Sequence, residues 1–430
     1  MAVDHSGMQD LQTFVQEWTR KHVQAGDLEE VEAAALEVGQ FVGEVVAETA
    51  LAETAQASYE GCSRPCACGR KAKFMEYRPK TLVTRVGNAV VLRPYYYCKH
   101  CHRGSVPWDE AQGLSKRCYS PGVKAMVCRT AARLSYKGTV ELLAELTPLR
   151  LEESAAEWIV EEVGGRVREE QARETESYLS GEVALPAGPP VERLYVTMDG
   201  SSAHIDGEWH EVKTGAVYTP RPGDDGLDES GPKRYVSAQE PAEDFTARLY
   251  IEALQAGVHR AKEVVVLGDG APWIWNYAAV HYPGAIQIVD YWHACQHIWE
   301  LAKAQYGERS PHGARWARQH CDRLKQYGPA RLLRALRRMK PRSPESAEAL
   351  RIERGYFADN AARMRYHEFR ERRLMIGSGV AEAACKVVVA QRLKHAGMRW
   401  KHDGADHILA LRCLLLNGQH EDIYRLAKAA

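Results

Sequence analysis

At 430 residues, with 45% hydrophobic and 27% charged side chains, the chain is long enough for two or three domains and has the balance of an ordinary water-soluble protein. It contains no run of about 18 apolar residues to span a membrane, and its opening "MAVDHSGMQD" lacks the basic-then-apolar order of a secretory leader, which points to the cytoplasm. A formal net charge of zero conceals segregation: residues 1–60 carry 2 Lys/Arg against 12 Asp/Glu, residues 61–120 carry 12 against 3, and residues 300–430 carry 27 against 14. Such asymmetry suits an anionic polymer on the basic surfaces, with the acidic arm facing away or toward a partner; the alternative is a set of solvated helices of mixed charge.

Residues 1–60 read as a helical arm, because "DLEEVEAAALEVGQFVGEVVAETALAETAQ" is rich in Ala, Glu and Leu and its apolar residues recur at three and four. An amphipathic arm of this kind suits oligomerisation. Residues 61–112 follow with "CSRPCACGRKAKFMEYRPKTLVTRVGNAVVLRPYYYCKHCHRG", two cysteine clusters separated by β-favouring runs and a Gly-Asn turn. The chain has 11 Cys, an odd number, and no secretory leader, so thiols or metal ligands are expected in place of a disulfide framework. Cys66, Cys68, Cys98 and Cys101 can close a tetrahedral zinc site on a zinc-ribbon-like hairpin. Cys62 is an alternative to Cys66, and His100 and His102 are further candidates. A closed four-thiolate site has no open position, so its zinc would serve folding.

Residues 113–185 return to helical patterning, with turns at "SYKG" and "TPLRLEES" that allow either a helix-turn-helix or an ordinary bundle joining two domains. A stretch with Pro186, Pro189 and Pro190 then reads as a linker. Residues 191–306 give three meander strands, "RLYVTMD", "EWHEVKTGAVYT" and "KRYVSAQ", then helix and strand in alternation, with "EVVVLGDG" and "AIQIVD" as buried strands. That order describes an α/β fold, a mixed sheet flanked by helices. Residues 307–375 are an Arg-rich helical insertion, and residues 376–430 supply the last helices after a Gly-Ser-Gly turn.

Asp199, Asp269 and Asp290 each sit where an apolar strand is expected to run out, the edge where ligands gather on such sheets. Clustered carboxylates repel one another unless a cation lies between them, and hard oxygen ligands suit Mg²⁺ or Mn²⁺. Two such ions about 4 Å apart can activate an attacking oxygen and stabilise the leaving oxygen of a phosphodiester. Taken singly, each Asp is equally a strand-end residue or a helix cap. His293 and His297 share one helical face after Asp290. The aromatic cluster of Trp273, Trp275, Tyr291, Trp292 and Trp299 reads as core sooner than as a base-stacking platform.

The segments "VTMDG", "LGDGAPWIWN", "IVDYWHACQHIW", "RGYFADNAARMRYHEFRERRLMIGSGVAEAACKVVVAQRLKHAGMRW" and "ILALRCLLLNG" resemble those of bacterial insertion-sequence transposases of the ISKra type. The resemblance covers roughly residues 60 to 425, and Gly-Ser-Gly-x-x-Glu is its most specific part. It implies a DDE transposase with an RNase H-like core. The catalytic triad, binding two Mg²⁺ or Mn²⁺ ions, would be Asp199, Asp269 and Glu382, supported by Asp290, His293 and His297. Double-stranded DNA would be the partner of a nucleoid-associated homodimer or higher homo-oligomer, with phosphates held by Arg334, Arg337, Arg338, Arg363, Arg365, Arg392 and Lys394. The chain departs from the pattern with C-x-C in its first cysteine pair and Ala383 after Glu382. Glu382 also has Lys386 four residues on, so a helix-surface ion pair is the alternative for it. The alternatives for the whole are a transposase-derived DNA-binding protein and a structure-specific nuclease.

Overall fold

A computed structural model describes residues 8–24, 26–114, 118–223 and 227–429. The chain divides into two units: Met1–Met126 with Gly138–Glu153 and Ala427–Ala430, and Val127–Lys137 with Ser154–Leu426. Helices Pro121–Ala131, Tyr136–Leu146 and Glu153–Leu179 occupy the third predicted segment, which is shared between the two units.

In the first unit the acidic arm forms helices Met8–His22 and Leu28–Ala57. The second of these starts at Asp27, whose side chain accepts from the Glu30 N–H at 2.9 Å and so satisfies one of the open donors of the first turn. An antiparallel sheet follows in the order β1 (Ser63–Pro65), β2 (Lys71–Thr84), β3 (Gly87–Cys98) and β4 (Arg103–Ser105). Thr84 pairs with Gly87, so Arg85 and Val86 make the hairpin turn, two residues before the expected Gly-Asn. Gly87 has φ +121°, and a Cβ there would collide with the Glu44 side chain. Ala55 of the long helix is buried with Leu82, Val91 and Trp108. A separate small cluster, Ala72, Tyr96 and Cys98, lies among Cys66, Phe74 and Cys101.

The second unit is built on a five-stranded sheet of β5 (Val191–Ile205), β6 (Glu208–Pro222), β7 (Asp228–Ala238), β8 (Ala261–Gly268) and β9 (Ile286–Val289). Their spatial order is β7-β6-β5-β8-β9; the first three strands are antiparallel, and β8 and β9 run parallel to β5. Apolar runs make β5 and β8 central: Leu194, Tyr195, Val196, Val265, Val266 and Leu267 are all buried. Both faces are covered. A Cβ on Gly215 of β6 would meet Leu249 and Phe245 of helix Ala242–Gln255, whereas Asp199, the β5 partner of the adjacent Thr214, receives Cys385, so these two elements lie on opposite sides. Asp199 does not end its strand as expected. The chain continues extended to Ile205 because β6 pairs with it throughout, even across Gly200, Ser201 and Ser202.

Candidate active site

Strand register sets three acids on one row. Thr197 of β5 lies opposite Leu267 of β8, so two residues further on Asp199 and Asp269 correspond. Gly268 lies opposite Val289 of β9, and the next pair is Asp269 and Asp290. The Asp290 N–H donates to the Gly268 carbonyl at 2.7 Å, extending the ladder to that residue. Parallel neighbours are about 4.8 Å apart, so residues far apart in sequence meet on one edge of the sheet.

Main-chain donors orient each carboxylate. Asp199 Oδ1 accepts from the Gly200 N–H at 2.7 Å, and Asp269 Oδ1 accepts from the Ala271 N–H at 2.8 Å. Asp290 caps helix Tyr291–Tyr306: its Oδ1 accepts from the His293 N–H at 2.7 Å and its Oδ2 from the Ser378 N–H. Both Asp290 oxygens are thus engaged in a buried position, which makes it a brace for its neighbours. Burial raises the Asp199 carboxyl above the ordinary aspartate range; the Gly200 N–H opposes that, the charge of Asp269 adds to it, and His293 opposes it. Asp199 and Asp269 therefore act on each other as like charges, the condition a bound cation relieves.

Glu382 belongs to helix Gly379–Ala384, directly before a π-helical stretch, Cys385–Ala390. The residue before that helix, Ser378, is bonded to Asp290, and the residue after it, Cys385, points Sγ at Asp199 Oδ2 from 3.8 Å. The helix is thereby tied to the acid row at both ends. The Glu382 side chain is exposed, and among the described residues no ion pair joins it to Lys386.

The insertion supplies two residues that the sequence reading missed. Helix Pro344–Asp359 brings Glu353 to His297, with Nδ1 2.9 Å from one carboxylate oxygen and 3.1 Å from the other. One turn on, the Tyr356 ring stacks on His297 at 3.8 Å, and its hydroxyl donates to the Asp269 carbonyl at 3.0 Å. His293 meets His297 edge to face at 5.0 Å. Of the aromatic cluster, Trp275 and Tyr291 are buried and Trp273 and Trp299 pack against the core, while Trp292 is 66% exposed beside Gly377.

In the first unit Cys66, Cys68, Cys98 and Cys101 converge, with all four sulfur atoms within 4.8 Å of one another. Cys66 and Cys101 Sγ are 3.5 Å apart, and Cys68 and Cys98 Sγ 3.7 Å. Zinc–sulfur bonds of about 2.3 Å at tetrahedral angles require an edge of about 3.8 Å, so this set could hold a metal such as zinc. The Cys101 N–H, followed by that of His100, helps lower the Cys98 thiol to about 6, while against the Arg103 N–H, burial and the three neighbouring thiols push Cys101 up to about 12, so without a cation the four share thiolate character unequally. Cys62, His100 and His102 stand outside the cluster. Among the described residues these thiols are the one group of three or more His, Cys, Asp or Glu ligand atoms gathered that closely; the acid row with Glu382 is a more open arrangement.

Residues 24–429 match the family described as Uncharacterised protein family (UPF0236), a span that takes in both cysteine pairs and every acid of the row. The chain belongs to that family. No match was found among the curated proteins.

In this UPF0236 member the arginines chosen by charge have unlike surroundings. Arg334, Arg337, Arg338 and Lys394 are exposed, and Arg365 is exposed but paired with Glu368 at 2.9 Å. Arg363 is half-buried; it donates to Gln287 Oε1 at 2.7 Å and lies over the Trp275 ring at 4.7 Å. Arg392 corrects the expectation of a phosphate contact. It is 1% exposed, donates to the Ala131 carbonyl at 2.6 Å, and lies near the Tyr136 and Trp400 rings at 5.2 and 4.7 Å. Its helical neighbours Val388, Val389 and Leu393 are all buried, and they carry it inward. Arg392→Ala removes this contact and leaves a cavity, so it is expected to lower stability by roughly 3 kcal/mol, whereas Lys394→Ala should change it by less than about 0.5 kcal/mol. Urea unfolding of the two variants checks the contrast.

No helix of the described chain is long and apolar enough to cross a membrane.

Proposed function

We propose that this protein is a DNA transposase of the DDE type with an RNase H-like core, cutting DNA at the ends of an insertion element and joining them to a target. What supports this most is the row of Asp199, Asp269 and Asp290 on the parallel strands β5, β8 and β9, with the helix of Glu382 bonded to both ends of that row. An antiparallel meander followed by two parallel strands, β7-β6-β5-β8-β9, is the order expected of such a core.

Asp199 and Asp269 suit a divalent metal because their like charges oppose each other at a half-buried edge. Mg²⁺ or Mn²⁺, held by these two with Glu382, would supply Lewis acidity to the scissile phosphodiester. The chain's own residues do the positioning. Asp290 braces the start of the Glu382 helix, and His293 stands close enough to Asp199 to act on its carboxylate. In the first step a water oxygen bonds to phosphorus and the bond to the 3′ oxygen breaks, leaving a 3′-hydroxyl and a 5′-phosphate. In the second that hydroxyl attacks a target phosphodiester and displaces its 3′ oxygen. Exposed Arg334, Arg337, Arg338 and Lys394 would hold phosphates, making binding steeply salt-dependent. Exposed Phe14, Leu36, Phe41 and Val46 on the N-terminal helices suit pairing between copies.

Incubation with labelled candidate element ends, with and without Mg²⁺, tests this directly. Cleavage confined to the Mg²⁺ arm and to end-bearing DNA is the expected result. Tight binding of ends with no cut under any divalent cation would leave a DNA-binding protein in place of a transposase.

A further inference from the structure

Tyr356 and Glu353 lie outside the acid row; Tyr356 touches it directly, and Glu353 reaches it through His297. The Tyr356 hydroxyl donates to the main-chain carbonyl of Asp269, and its ring lies against Gly270, where φ is +107° and a Cβ would come within 2.7 Å of the ring. The opposing ring is His297, stacked at 3.8 Å with 19° between planes. His297 is fixed by Glu353, whose carboxylate is buried within helix Pro344–Asp359 and meets Nδ1 at 2.9 Å. One end of the chain of contacts is therefore a buried carboxylate in the Arg-rich insertion, and the other is the backbone that carries Asp269.

We propose that Tyr356 and Glu353 are positioning residues of the acid row: the insertion sets the Asp269–Gly270 turn and the His297 ring so that the row takes up a divalent cation. This rests on the transposase reading above. A tyrosine serving only as packing would need its ring alone; the bond to the carbonyl next to a metal-binding carboxylate adds a constraint on where that carboxylate sits. The part of the insertion that faces solvent with Arg334, Arg337 and Arg338 is thus joined, through the helix that follows, to the chemistry of the sheet edge.

Mn²⁺ binding to the zinc-loaded full-length protein, followed by calorimetry alongside the thermal midpoint, tests this without requiring a substrate. Tyr356→Phe keeps the ring and its stacking and deletes one hydrogen bond, and Glu353→Gln keeps a partner for His297 and deletes the charge. Tyr356→Phe is expected to weaken Mn²⁺ binding by about tenfold, the equivalent of one hydrogen bond, and Glu353→Gln by roughly threefold, since a neutral acceptor holds His297 less firmly than a carboxylate, with the midpoint within about 3 °C of the unsubstituted protein. Asp269→Asn serves as the control that loses Mn²⁺. Unchanged affinity in both positioning variants, alongside loss in the control, would overturn the positioning role and leave the transposase reading standing. Affinity that falls only in proportion to the thermal midpoint would overturn it too, as a purely structural effect. An unsubstituted protein that binds no Mn²⁺ would sink both.

Discussion

Asp269→Asn is expected to reduce Mg²⁺-dependent cleavage of end DNA on the order of 10³-fold or more while leaving affinity for uncut ends within about threefold. The substitution is close to isosteric. Asparagine's Oδ1 can still accept from the Ala271 N–H, and the Tyr356 bond goes to the main chain, so the local turn is kept. What is lost is one of the two charges that oppose each other across the row. Without it the carboxyl of Asp199 returns toward its ordinary range, because one of the causes that raise it is removed. The folded protein should then be no less stable at neutral pH, the pattern of a site where function and stability pull in opposite directions. Gel-shift and cleavage assays on one labelled end, with urea unfolding in parallel, read all three quantities. Cleavage at more than about a tenth of the unsubstituted rate would remove Asp269 from the metal-binding set and leave the row without its central member.

Much of the second sheet is legible in the sequence because its parallel strands are buried on both faces. "VVVLG" and "IQIV" are short apolar runs closed by an acid, and β8 and β9 occupy those runs. Asp199 was legible as an acid closing an apolar run but not as an interior strand residue. Gly200, Ser201 and Ser202 have weak strand preference, and only pairing with β6, a tertiary event, keeps them extended. Arg392 was misread because charge along a sequence says nothing about which side of a helix it leaves, and the rings that receive it lie near residues 136 and 400. Glu353 left a faint signal. Leu350 and Phe357 are buried on the same helix, and an acid three residues after the first and four before the second stands on an apolar stripe, where a carboxylate needs a partner. The count of arginines around it hid that signal. His297 could be suspected from its spacing to Asp290, but its partner lies in a segment read only as a phosphate-holding insertion.

Cys98→Ser, or stripping of metal with a strong chelator, is expected to unfold one end of the first unit and spare the other. The β1–β4 sheet has two separate apolar clusters. Leu82, Val91, Trp108 and Ala55 form one without any cysteine, and the Trp108 indole N–H is held by Thr54 Oγ1 at 3.2 Å. The other cluster is only Ala72, Tyr96 and Cys98 with their half-buried neighbours, too small to order the short strands β1 and β4 by burial alone. Those strands are therefore expected to depend on the four sulfur atoms being drawn together, with the Arg64–Glu110 pair as a lesser tie. Structural zinc in isolated fingers is worth on the order of 10 kcal/mol in apparent terms, and here the loss falls on the cysteine end while the Trp108 end keeps its own core. Hydrogen exchange should therefore quicken in residues 63–73 and 95–105 and stay slow around Leu82 and Val91. Mass measurement under native conditions should find about one zinc per chain, released on mercurial titration of the thiols. Cys62→Ser distinguishes the two possible ligand sets, because Cys62 stands outside the cluster and its loss should leave zinc content and exchange unchanged. If Cys62→Ser removed the metal and Cys66→Ser did not, the first pair of ligands would have to be redrawn around Cys62. Binding of Mn²⁺ at the acid row, which belongs to the other unit, should survive loss of zinc, so the two metals are separable by which variant abolishes which.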